Sequence, residues 1–454
     1  MKRGAKLIIL FAVLVVLAGA YALITKLTDE DEAPGDETGL TILGIAPDEV
    51  SLLSLQSEKW EGTLTGGEKW TLEKDETFPV DQQKVWSMLD KLVSVSASRV
   101  LGAPEDLSQY GLENPSNTVT VIMADGSSKI LRFGNQNKLT EEYYLRVGDG
   151  AQVYLVSESL YDAFDLAQES LLKYEELPVL GQVTSCTIRK GDRSTELKYF
   201  EDNTGLSYSP YYNWFVHEED SFTELDTEAV SAYTDLAAKI EWESCADWNA
   251  SEEELAAYGL DEPSVLYLEG SDGSFALEIG ASGPDGYYAR LAGSKMVYVI
   301  DAKNARTLVE ADIEAMLPSD VCLMDWSTVR ELLFALDGQT HSLQFVYEAS
   351  SEGQDGQAVS YNVDGAPADI QSVQSVINMI DSMESSGTTN VGSSSEPELE
   401  LRFIRSAETF KEVTLSFSPY DVSDAAVTLN GTSRLLVTKE SVAQLKRLLS
   451  ALMT

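Results

Sequence analysis

Histidine is almost missing from this chain: His217 and His341 are the only two in 454 residues. Neither has a cysteine or a second histidine at metal-ligand spacing, which removes the usual basis for a serine triad or a histidine-bearing metal centre. Both stand where a strand gives way to charge or a turn and are read as surface residues. Cysteine is nearly as scarce. Cys186, Cys245 and Cys322 allow at most one bridge, so no disulfide framework holds the fold. CxxC, GxGxxG, HExxH, GxSxG and the phosphate loop with its lysine are all absent. Basic charge is thin as well, with 32 Lys and Arg against 75 Asp and Glu and a net charge of −43. Such a field repels nucleic acid, so no DNA or RNA partner is expected. No catalytic residue, metal or cofactor is assigned, and the chain is expected not to be an enzyme. A hydrolase built from carboxylates is an alternative, since any two of so many acids can converge.

What is present begins with one apolar run. Leu7 to Ile24 carries no formal charge over 18 residues and follows Lys2, Arg3 and Lys6. As a helix it rises about 27 Å, close to a hydrocarbon core of roughly 30 Å. The expectation is a single-pass anchor in the cell membrane, touching lipid through residues 7–24, with the C-terminal body outside the cytoplasm by the positive-inside bias. A cleaved signal peptide and a buried core helix are the alternatives. Beyond the run, 29 basic residues face 75 acids, a balance of −46. Residues 28–40 read as an acidic linker, TDEDEAPGDETG and one more residue.

The rest of the chain repeats itself. Tyr110-Gly111-Leu112-Glu113-Asn114-Pro115 returns 148 positions later as Tyr258-Gly259-Leu260-Asp261-Glu262-Pro263. Each copy is followed by an alternating run, an Asp-Gly pair (125–126 and 272–273), a second run closing on Gly134 or Gly280, and a double-tyrosine strand. Asp-Gly between alternating runs is a strong hairpin signal. A degenerate third copy, without the Tyr-Gly-Leu motif or the tyrosine pair, fits Lys411 to Leu449. Upstream, Asp81, Asp226 and Asp369 each precede an apolar pattern at three-and-four spacing, which predicts three N-capped helices laid on a sheet. The expected domains are a cytoplasmic tip and anchor (1–27), the linker (28–40), and α+β repeats at 41–176, 177–324 and 325–454. Ser350–Gly356 and Ser385–Glu396 read as surface loops of the third repeat.

The repeated motifs suggest roles for their residues. Glycine at 111 and 259 closes a turn, Pro115 and Pro263 open the next strand, and Tyr110, Leu112, Tyr258 and Leu260 fill the gap between layers. Tyr143-Tyr144-Leu145-Arg146 and Tyr287-Tyr288-Ala289-Arg290 put one ring on each face of a strand, since Cβ direction alternates. Tyr144 with Arg146, and Tyr288 with Arg290, then share the outer face. That pairing suits an anionic ligand or a partner's carboxylate, or else a local acid and a stacked ring.

These motifs resemble the bacterial domain-of-unknown-function family DUF4340, over Tyr110 to Val156 and Tyr258 to Ile300. The resemblance implies an accessory envelope protein of the kind linked to ABC-type export or gliding motility, and it supplies no catalytic residues. The expected fold is α+β: an N-terminal transmembrane helix, then three tandem antiparallel sheets with helices packed on one face. The expected function is a membrane-anchored extracytoplasmic accessory or scaffold protein with a membrane protein partner, such as an ABC transporter permease. The alternative is a glycan or small-ligand binding module of the cell envelope.

Overall fold

The computed structural model describes residues 39–218, 221–336, 338–347, 360–389 and 395–453. The chain divides into two compact units between Glu175 and Glu176. The first unit contains β1 (Leu40–Leu43), β2 (Val50–Ser57), β3 (Glu61–Thr65), β4 (Thr71–Leu72), β5 (Val95–Ala97), β6 (Arg99–Gly102), β7 (Asn117–Met123), β8 (Ser128–Gln136), β9 (Tyr143–Val147) and β10 (Val153–Val156). β1 and β5 form a separate ribbon, and the others make one sheet in the order β4-β3-β2-β7-β8-β9-β10-β6.

The second unit holds two sheets. One is built from β11 (Val183–Lys190), β12 (Arg193–Tyr199), β13 (Trp214–Glu218), β14 (Ser221–Leu225), β15 (Ser244–Asp247), β16 (Ser264–Gly270), β17 (Ser274–Ser282), β18 (Tyr287–Leu291) and β19 (Val297–Ile300). The other is built from β20 (Val329–Leu336), β21 (Gln339–Val346), β22 (Ser360–Val363), β23 (Ala366–Pro367), β24 (Gly387–Thr388), β25 (Leu399–Arg405), β26 (Glu412–Pro419), β27 (Asp424–Leu429) and β28 (Thr432–Thr438). Their orders are β14-β13-β12-β11-β16-β17-β18-β19-β15 and β23-β22-β21-β20-β25-β26-β27-β28-β24. All three large sheets wind alike. β2, β11 and β20 lie in the middle, pairing antiparallel with a hairpin neighbour on one side and with β7, β16 or β25 on the other.

Between the two halves of each sheet runs a helix: α1 (Gln82–Asp90), α3 (Thr227–Ala238) or α6 (Ile370–Asp381). Asp81, Asp226 and Asp369 cap them, accepting hydrogen bonds from first-turn amides such as Ala229 N at 2.7 Å and Ser372 N at 2.8 Å. The sequence stripe is the buried one: Val85 and Leu89, Val230 and Tyr233, Val373 and Ile377. Closing helices α2 (Glu158–Asp162), α5 (Ala302–Glu310) and α7 (Lys439–Ala451) follow the last long strand of each sheet, and α4 (Glu252–Ala257) precedes the second Tyr-Gly-Leu. In the middle sheet, Val230, Tyr233 and Leu308 from the helices share one core with Leu266, Leu268 and Leu277 from the strands. Ser385–Glu396, expected as a loop, includes the edge strand β24; Ser386 N and Thr389 N donate to Leu436 and Arg434 carbonyls. Backbone pairing there overrides a Ser- and Gly-rich composition. The 350–356 loop lies outside the described residues.

The membrane architecture is corrected. Among the described residues no helix is long and apolar enough to cross a membrane. The longest, α7, has 13 residues, with Lys439, Glu440, Lys446 and Arg447 among them; a span needs about 20 mostly apolar ones. Leu7–Ile24 lies outside the described residues. The fold is α+β with large antiparallel sheets interspersed with helices. The transmembrane helix, the lipid contact through 7–24, the single-pass localisation and the anchored accessory role with a permease partner find no support in it.

Candidate functional site

Tyr-Gly-Leu is a helix stop in both copies. Gly111 and Gly259 adopt left-handed φ values of +69° and +70°, a region that costs a side chain about 1 kcal/mol or more. The N–H of Leu112 then returns to Leu107 O at 3.1 Å and that of Leu260 to Leu255 O at 2.9 Å, the longer bond of a Schellman cap. Both leucines are buried. Pro263 directly precedes β16, while Pro115 stands two residues before β7.

The paired tyrosines split across the sheet as alternation requires. Tyr143 lies flat on Tyr161 of α2, 3.7 Å between centroids, on the face where Leu145 is buried. Tyr144 meets Tyr110 edge-on at 4.9 Å, and Tyr288 meets Tyr258 at 4.6 Å. Tyr287 packs at the edge of the middle core beside Ala289. The arginines are occupied locally. Arg146 donates to Gly150 O (2.7 Å) and Asp149 O (3.2 Å). Arg290 donates to Glu278 Oε2 (2.6 Å) and Ser294 O (3.0 Å). Each guanidinium thus ties down the turn after its own strand, a framework task.

A different place gathers polar side chains without the same closure. The connection between β3 and β4 is five residues, 66–70, but the equivalent connection between β12 and β13 is fourteen, 200–213. This long loop is pinned from inside: buried Asn203 donates to Ser209 O (2.8 Å) and Tyr212 O (2.6 Å), and its carbonyl accepts from Leu206 N and Ser207 N. Thr409 of the last repeat donates to Thr204 O. The loop places Tyr208, 4% exposed, in the hydrophobic core of the β20–β28 sheet, where it reaches buried Cys322.

Beside that crossing lies a cavity of about 270 Å³, walled by Tyr208, Tyr212, Phe222 and Phe410, with Glu224, Asp320 and Arg434 contributing charge. Burial drives the Glu224 carboxyl up, opposed by a hydrogen bond from Ser207 and the charge of Arg434. Burial also raises Asp320, with Asp226 and Glu384 adding to it. Asp320 stands opposite Glu384 in an isolated antiparallel bridge. Burial pulls Arg434 down while Glu224 holds it up, and one of its nitrogens donates to Pro318 O at 3.3 Å. Tyr212 is 4% exposed and feels both Asp320 and Glu224. Its hydroxyl lies near enough to Asp320 to ease that carboxyl, yet it makes no hydrogen bond of ordinary geometry with any described residue. A buried hydroxyl in that state costs about 1–3 kcal/mol. The one sequence signal for this site was three tyrosines, 208, 211 and 212, close together in one connection.

Elsewhere the reactive side chains are quiet. Burial pushes the thiols of Cys186 and Cys322 up to about 12. His217 pairs with Glu196 at 2.8 Å and His341 with Asp364 at 2.7 Å. Among the described residues no group of His, Cys, Asp and Glu converges to hold a metal.

A family model described as a domain of unknown function (DUF4340) matches residues 70–198 and 214–402, well over half of the chain. No curated protein matches the chain, and no solved structure does.

Proposed function

The chain belongs to the DUF4340 family, and on that premise we propose that it is a non-catalytic binding protein whose ligand, a small amphipathic molecule, enters the cavity in residues 176–454. The three repeats, near 41–176, 177–324 and 325–454, serve as its scaffold. One observation carries the reading: Tyr212 lines the cavity, and its buried hydroxyl, although near Asp320, makes no hydrogen bond of ordinary geometry with any described residue. Native interiors rarely leave such a group unsatisfied, and a ligand's polar atom is one way to satisfy it. Aromatic walls with a few convergent polar groups are the usual make-up of a small-molecule site. A non-catalytic role is supported by the burial of Cys186 and Cys322, which disfavours their thiolates, and by histidines engaged with acids.

Tyr212→Phe tests the reading. Without ligand the variant should unfold at a higher temperature than the parent, because an unsatisfied hydroxyl is gone. Amphipathic fragments that raise the midpoint of the parent should raise that of the variant less. If no fragment of any charge moves the parent and the variant unfolds no later, the cavity is only a packing gap.

A further inference from the structure

The charges around the cavity do not balance, and that imbalance selects a ligand. Two acids, Glu224 and Asp320, line it against one arginine. The charge of Arg434 acts on Glu224. Asp320 has instead two further acids near it, Asp226 and Glu384, and only the neutral Tyr212 hydroxyl and its own backbone amide to ease it. Like charges placed opposite each other across a strand pair are destabilising, and one of this facing pair, Asp320, lines the cavity. An anion entering would add to the repulsion. A neutral molecule would strip water from Asp320 and leave its charge uncompensated. A cation supplies the missing charge, and the rings of Tyr208, Tyr212, Phe222 and Phe410 offer the aromatic surface that cations and apolar bodies both accept.

We propose that the cavity takes a small organic cation, a primary ammonium on an aromatic or aliphatic body, with its charge held by Asp320 and Glu224 and its body against the four rings. The ammonium is a donor, so the Tyr212 oxygen would accept from it. This rests on the reading of the cavity as a binding site. Asp320, with acids around it, would then be kept where a neutral residue is expected to be more stable, a trade-off common at binding sites.

The test is calorimetric titration of the full chain, near neutral pH, with three probes of one shape: phenethylamine, phenethyl alcohol and phenylacetate. The amine should bind with Kd of about 1 mM or tighter, and the other two about tenfold more weakly or worse. Asp320→Asn should lower the amine's affinity about tenfold, while the unliganded variant unfolds at a higher temperature than the parent. A merely structural aspartate would not move the two readouts in opposite directions. If the alcohol or phenylacetate binds as tightly as the amine, or if Asp320→Asn leaves amine affinity unchanged, the cation assignment falls and the binding reading stands. If none of the three binds, both fall.

Discussion

Gly134 lies against the carbonyl oxygen of Tyr110, with no room between them for a Cβ, and Gly280 stands in the same relation to the carbonyl of Tyr258. The glycine that ends each second alternating run and the motif that opens each first one are therefore two halves of one contact. In the second copy the Tyr258 carbonyl also accepts from Ala281 N at 2.8 Å. Substituting the glycine pushes the helix stop off the sheet.

Gly134→Ala and Gly280→Ala should each destabilise the chain by about 1–3 kcal/mol, the usual cost of forcing atoms into packed space. Urea unfolding of each variant measures it. Unchanged midpoints would mean that the stop is free to drift away from the strand.

Asn117 is fully buried, and neither its amide nitrogen nor its oxygen has a hydrogen-bond partner among the described residues. It faces Phe133 across the ladder, as Leu399 faces Phe417 in the third sheet. Asn117→Leu should raise stability by about 1 kcal/mol, since an unsatisfied amide costs about 1–3 and the larger side chain returns part of that as crowding. A lower urea midpoint would show that the amide does have a partner, such as bound water.

Tyr208→Ala should cost about 3–5 kcal/mol, as loss of a large buried aromatic does, although Tyr208 belongs to the second repeat and fills the core of the third. Hydrogen exchange should then report faster opening in β20, β25 and β26. If the loss is confined to β11–β14, the loop braces its own repeat alone.

Asp381 accepts from Trp326 Nε1 with both oxygens, at 2.8 and 3.0 Å, and burial nonetheless raises its carboxyl. A raised folded pKa makes a contribution that is full below the unfolded value, about pH 4, and lost as pH rises through the folded one. Asp381→Asn, which keeps an acceptor for the indole, should therefore exceed the parent in thermal midpoint near neutral pH. The gap should close in acid. A gap that stays constant with pH would assign the effect to packing rather than charge.

Much of the scaffold was legible because it obeys local rules. Aspartate at 81, 226 and 369 caps a helix whatever surrounds it, and the Gly111 and Gly259 stops need only backbone geometry. Alternation sets Tyr144 with Arg146, and Tyr288 with Arg290, on one face of each strand, but it does not give their partners: the Gly150 and Ser294 carbonyls come from the turn shape, and Tyr288 packs on a small cluster with Leu255 and Leu260. The cavity was hidden for a related reason. Comparing the chain with itself finds what the repeats share, whereas residues 200–213 are what one of them has in addition, and Phe410 and Arg434 come to Tyr212 only through the third sheet. The apolar run at Leu7–Ile24 dominated the reading of place and partner, and no helix of the described fold takes up that theme.

The reach of Tyr208 into the neighbouring core also sets an order of events during synthesis. The N-terminal unit has all its strands once residue 175 has left the ribosome. The second repeat completes its sheet with β19 while Tyr208 still has nowhere to go, because the core that receives it extends to Leu452. An aromatic loop must wait, exposed, for well over a hundred residues of further chain. Nascent chains halted between the end of β19 and the end of α7 are where a chaperone would be expected to find this protein.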